Sequence, residues 1–145
     1  MPSNPEVLFL YMRMPAFSLS KAERLKSGRT ISMLFAPGGQ AILSYPVRVV
    51  WVCAPLLPGH SPLRIGFSVP KRNFKTAVLR NRLRRRLREA WRLHQHELRS
   101  ILLEAAPPDH AIALMFIYIA KEELPYAEIE RGVIKIRHKF PKRAS

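Results

Sequence analysis

Hydrophobic positions change period several times along the chain, and each change marks an element. In SLSKAERLKSGRTISMLF (18–35), Leu25, Ile31, Leu34 and Phe35 recur at helical intervals. Gly28 weakens that helix and the PGG at 37–39 stops it. YPVRVVWVCAP (45–55) is β-branched and aromatic and alternates instead. Val47, Val49 and Trp51 share one face, and Arg48, Val50 and Val52 share the other. LLPGHSP breaks the chain before a second strand-like stretch, LRIGFSVP (63–70), whose reach Pro70 limits. From about Ala77 to Glu104, Leu79, Leu83, Leu87, Ala90, His94, Leu98 and Ile101 repeat in steps of three and four, an amphipathic helix that PPD ends. HAIALMFIYIA (110–120) is a continuous apolar run of strand length, suited to burial on both faces. A last helix is predicted within 124–140, apolar at Ile129, Val133, Ile136 and Phe140. The order helix, strands, helix, strand, helix predicts a small mixed sheet packed against helices.

Composition bounds this picture. The chain has 145 residues, room for one domain, and 48% of them are hydrophobic, a globular composition. Its formal net charge of +15 calls for a polyanionic partner. The single cysteine, Cys53, can form no internal disulfide and is read as inert packing in an apolar strand. VLFLYM (7–12) is too short to span a membrane and lacks the flanks of a signal peptide. The protein is therefore expected to be soluble and cytoplasmic, without a membrane partner. Residues 1–16 hold three prolines and three methionines and read as a poorly ordered extension, with Met1, Met12 or Met14 as the start. Residues 17–145 are left as a single domain.

The long helix concentrates the charge. Six arginines stand in the nine residues from Arg80 to Arg88. At 100° per residue, the seven apolar positions fall within an arc of about 100°. Asn81, Arg85, Arg88, Arg92 and Arg99 lie opposite, with Arg82 beside them and Arg84 and Arg86 at the borders. Between Lys71 and Arg99 there are eleven basic residues and two acids, so pairs within the helix cannot neutralise the strip. Arginine supplies every basic charge from Arg80 to Arg99 except the histidines. Its planar fork donates to two phosphate oxygens at once and stacks on bases. A solvated helix face is the ordinary reading of a charge run. The shortage of acids weighs against it here.

RIGFSVPKRNFKTAVLRNRLRRRLREAWR (64–92) closely resembles the signature of the bacterial ribonuclease P protein family. That signature is a strand, a Ser-Val-x-Lys turn, an Ala-Val at the helix start and an Arg-Asn-Arg with further basic residues at helical spacing. Ser68, Val69, Lys71, Ala77, Val78, Arg80, Asn81, Arg82, Arg84, Arg85 and Arg88 occupy those places. RLKSGRTISMLFAPG (24–38) looks like the family's first helix, and YAEIERGVIKIRHKF its closing one. The resemblance implies an α/β fold, an α+β sandwich of a mixed sheet of about four strands with three helices in the order α-β-β-β-α-β-α. It also implies a left-handed βαβ crossover, against the usual right-handed rule.

By the same resemblance the partners are the ribonuclease P RNA and the 5′ leader of precursor tRNA. The RNA would hold the Mg2+ ions that the holoenzyme needs, and the protein would bind no cofactor of its own. The protein would act as a monomer in the holoenzyme. Contacts to the RNA subunit fall to Arg80, Asn81, Arg82, Arg84, Arg85, Arg86, Arg88 and Arg92. A leader cleft falls to Phe35, Trp51, Ser68, Lys71 and Arg72, with Ile31 where the family usually has phenylalanine. Aromatics in a basic groove are a common way to hold single strands.

Two other functions are weighed against this one. A basic scaffold such as a ribosomal protein would bind RNA without affecting tRNA cleavage. A nuclease acting without RNA would need catalytic groups that the chain lacks. Its five histidines are at 60, 94, 96, 110 and 138, and no pair of histidines or carboxylates has a metal-binding or acid/base spacing.

Overall fold

The pattern resolves into seven elements in the computed structural model, which describes residues 24–25, 28–35 and 39–140. They are α1 (Gly28–Phe35), β1 (Gln40–Ser44), β2 (Val47–Pro55), β3 (Leu63–Ser68), α2 (Ala77–Ala105), β4 (His110–Tyr118) and α3 (Tyr126–Lys139). The sheet order is β1-β2-β4-β3. β2 pairs antiparallel with β1 and β4, and β3 runs parallel to β4. Parallel neighbours need a crossover, and α2 is that crossover. The apolar run at 110–120 becomes a central strand, buried on both sides from Ile112 to Phe116, which is why it shows no alternation.

Two helices cover one face of the sheet. Val47, Val49, Trp51, Leu63, Ile65, Leu114 and Phe116 meet Leu83, Leu87, Trp91 and Leu98 of α2, and Ile129, Val133 and Ile136 of α3. Burying a side chain of this size is worth about 1.5–3 kcal/mol, so this layer holds most of the fold's stability. Among the described residues the opposite face carries α1 and, toward the β3 edge, Leu25. There Leu34 sits on Val50 and Met115, with Leu25, Ile31, Val52 and Ile117 around them. α1 has eight residues, and at 1.5 Å per residue it is about 12 Å long. It cannot roof the whole sheet.

Several boundaries differ from the sequence expectations. The helix expected over 18–35 starts at Gly28. Residues 18–23 and 26–27 lie outside the described residues, as does the extension expected at 1–16. Leu25 is not helical: its N–H donates to the Ile65 carbonyl at 3.0 Å, and Arg24 forms a parallel bridge with Ile65. Gly66 permits this approach, since a Cβ there would stand 3.3 Å from the Leu25 side chain. The third strand expected before the long helix is β1, which no alternation marks because in QAILS only Ser44 is buried. The apolar arc of α2 is wider than expected and includes Trp91 and Leu102.

Candidate nucleic-acid interface

Strand register lines up one row of side chains across the face that α1 covers only in part. Leu43 pairs with Arg48, Arg48 with Ile117, and Ile117 with Ser68. The next row, Val50, Met115 and Gly66, lies under α1. Past the C-terminal end of α1 no described residue covers the first row, and it floors a cleft. Arg48, Ile117 and Ser68 form the floor, Phe35 stands at one wall, and Pro70, Arg72 and Asn73 stand at the other. Phe35 is 57% exposed, so its ring is available to a flat ligand.

The far wall of this cleft is the turn that leads into α2. Val69 and Phe74 anchor the turn in the core, with the Phe74 ring 5.6 Å from that of Tyr118. Arg80 Nη1 donates to the Phe74 carbonyl at 2.7 Å, tying the turn to the first coil of the helix. Arg72 enters the cleft while Lys71 and Lys75 point to solvent, so one short turn connects the cleft to the arginine strip.

The strip is not uniform. On one flank, Arg82 Nη1 and Arg86 Nη2 reach Glu123 Oε2 at 3.1 and 3.0 Å, and Arg86 Nη1 donates to the Leu124 carbonyl at 2.9 Å. Farther along, Arg92 pairs with Glu89 and, through its hydrogen bond, holds that carboxyl below its usual range. Toward β3, Arg84, Arg85 and Arg88 make no ion pair among the described residues. Burial lowers the basicity of Arg88, and repulsion from Arg84, Arg24 and Arg85 adds to the effect. The acid that neutralises part of the helix comes from the β4–α3 connection, where helical spacing gives no sign of it.

Most of the expected site residues come together. Phe35, Ser68 and Arg72 line the cleft. Asn81, Arg82 and Arg85 are exposed on α2, with Arg80, Arg84, Arg86, Arg88 and Arg92 half-buried. Lys71 is exposed in the turn and does not line the cleft. Ile31 packs between α1 and the sheet. Trp51 requires a correction. It is 2% exposed, on the helix-covered face, with its ring 4.4 Å from Phe140. Strand alternation decides this, because Trp51 shares parity with Val47 and Val49 and cannot face a cleft floored by Arg48.

Arg48, Pro70, Asn73, Ile117 and Ile119 line the cleft although the sequence pattern did not assign them to it. The signal was present, since Arg48 is the one charge in an otherwise apolar strand and has the opposite parity to Trp51. The thiol of Cys53 is half-buried, and burial pushes its pKa up. Among the described residues there is no group of three or more His, Cys, Asp or Glu that could hold a metal ion. No described helix is long and apolar enough to cross a membrane.

The family model described as Ribonuclease P matches residues 19–140. The ribonuclease P protein component of Porphyromonas gingivalis strain W83 is 35% identical over 127 residues, covering 83% of this chain and 85% of the relative. That of Chlorobaculum tepidum is 31% identical over 123 residues, covering 83% and 79%. The solved structure of the RNase P protein from Thermotoga maritima superposes with a TM-score of 0.59 at 18% identity, over 82% of this chain and 98% of that one.

Proposed function

Because the chain belongs to the ribonuclease P protein family, we propose that its two basic surfaces hold two different RNAs. The protein is a component of ribonuclease P, a ribonucleoprotein enzyme of tRNA processing, and works with that enzyme's RNA. The outer side of α2 is the surface for the catalytic RNA. Arg85 and Arg88 are its centre, with Asn81 and Arg84 beside them and Arg80, Arg82, Arg86 and Arg92 engaged with protein groups as well. A rigid row of guanidinium forks suits the phosphates of a folded RNA. The cleft takes the single-stranded 5′ leader of precursor tRNA. Phe35 stacks on a base, Arg48 and Arg72 neutralise phosphates, and Ser68 and Ile117 form the floor.

The observation that carries this reading is the adjacency of the two surfaces. The turn at 69–76 is at once the wall of the cleft and the start of the arginine helix. An RNA seated on α2 would therefore bring its substrate's leader to the cleft without any movement of the protein. Cleavage, with its Mg2+ ions, belongs to the RNA in this reading. The protein is a cytoplasmic monomer that raises substrate affinity.

The test mixes the protein with a bacterial ribonuclease P RNA and precursor tRNA at low magnesium. Stimulated 5′ cleavage that grows with leader length is the expected result. Stimulation independent of the leader would remove the cleft from the mechanism.

A further inference from the structure

The described structure divides the arginines of α2 into two groups. Arg82 and Arg86 share Glu123. Among the described residues Arg84, Arg85 and Arg88 share no acid, and Arg24, outside the helix, is near enough to Arg88 for the two charges to repel. Arg24 reaches this place through its backbone. It bridges Ile65 at the sheet edge, Leu25 N–H donates to the Ile65 carbonyl at 3.0 Å, and the Leu25 side chain rests on Gly66. α2 packs on the same strand.

We propose that Arg24 joins Arg84, Arg85 and Arg88 in one site for backbone phosphates of the partner RNA, so that the interface continues off α2 onto the segment beside β3. The inference rests on α2 being the RNA-binding helix. Its geometric support is strand parity, since Arg24 bridges Ile65 and so lies on the side of the sheet that α2 covers, together with the half-buried position of Arg88. Burial disfavours its charge, and three neighbouring arginines, Arg24 among them, repel it. Four like charges gathered with no acid among the described residues raise the energy of the free protein. A phosphodiester lowers that energy, and paired oxygens match the guanidinium fork. On the other flank Glu123 already supplies a carboxylate to Arg82 and Arg86.

The experiment uses the full chain and a bacterial ribonuclease P RNA. Dissociation constants are measured at two salt concentrations for Arg24→Ala, Arg24→Lys and Arg85→Ala, beside melting of each free protein. Arg24→Ala is expected to bind several-fold more weakly at the lower salt. Its log-log salt slope should flatten by about 0.7–0.9, one phosphate contact. Arg24→Lys should recover most of the slope, and melting should stay unchanged or rise. If Arg24→Ala matches the parent at both salts while Arg85→Ala is weakened, the extension to Arg24 is wrong and the α2 reading stands. If both match the parent, the α2 reading falls and takes this inference with it. A drop in melting with an unchanged salt slope makes Arg24 structural and overturns the proposal.

Discussion

Trp51 and Arg48 are three residues apart on β2, and they belong to opposite regions of the molecule. Trp51 is on the face that α2 and α3 cover, packed on Phe140. Arg48 is on the face that α1 leaves open past its end, between Leu43 and Ile117. The two faces share strands and backbone hydrogen bonds. They differ in the length of helix laid over them, 29 and 14 residues on one side and eight on the other. A sheet whose second face is only partly roofed keeps an exposed row of side chains held rigidly in register. The covered face pays for that row in stability, so changes on the two faces should have different consequences.

The largest effect is expected from Trp51→Ala. Removing a buried tryptophan costs about 3–5 kcal/mol through lost burial and an unfilled cavity. Denaturant unfolding should show that loss, while the folded fraction still prefers precursor tRNA to mature tRNA. Loss of the preference with stability intact would return Trp51 to the cleft and break the contrast between the faces.

Gly132→Ala probes the same face at its edge. A Cβ there would stand 2.9 Å from Pro46 Cδ and 2.9 Å from the Ser44 carbonyl oxygen. Ser44 Oγ also donates to the Gly132 carbonyl at 2.6 Å, so α3 cannot back away from the β1–β2 turn without losing a buried hydrogen bond. Overpacking of this kind costs about 1–3 kcal/mol. Thermal melting checks it, and an unchanged midpoint would mean that the turn yields.

How much of this was readable beforehand depended on whether the information is local. The periods of α2, β2 and α3 and the apolar run of β4 are local, and those elements appear within a few residues of their observed bounds. The arginines were equally plain, because charge needs no partner to be counted. Three things were not local. β1 exists because β2 pairs with it, and QAILS has no strong period of its own. Glu123 meets Arg82 across 41 residues, so part of the strip's neutralisation lies outside its helix. The cleft is formed by register among three strands and by where α1 ends. Parity along β2 was legible, and it already separated Arg48 from Trp51. An aromatic was expected in the cleft, and the only one on that strand faced the wrong way.

The open face should answer in binding. Phe35→Ala is expected to leave melting unchanged, since the ring is mostly exposed. It should weaken long-leader precursor tRNA by about 1–3 kcal/mol, the usual worth of one stacked base. Phe35→Trp should restore it. Equal weakening for mature tRNA would mean that the ring touches something other than the leader.

The smallest effect, and the sharpest on the contrast, is expected from Arg48→Gln. Arg48 makes no ion pair among the described residues and its side chain is exposed, so the exchange should be silent in melting. Glutamine keeps the length and a hydrogen-bonding head but loses the charge. One phosphate contact to a single strand changes the logarithmic salt slope by about 0.7, so the loss should show at low salt and vanish as salt rises. The matched measurement is precursor tRNA affinity at two salts with long and short leaders. Only the long leader at low salt should respond. A fall in melting with no change in that slope would mean that Arg48 supports the fold as Trp51 does, and the two faces would no longer divide structure from binding.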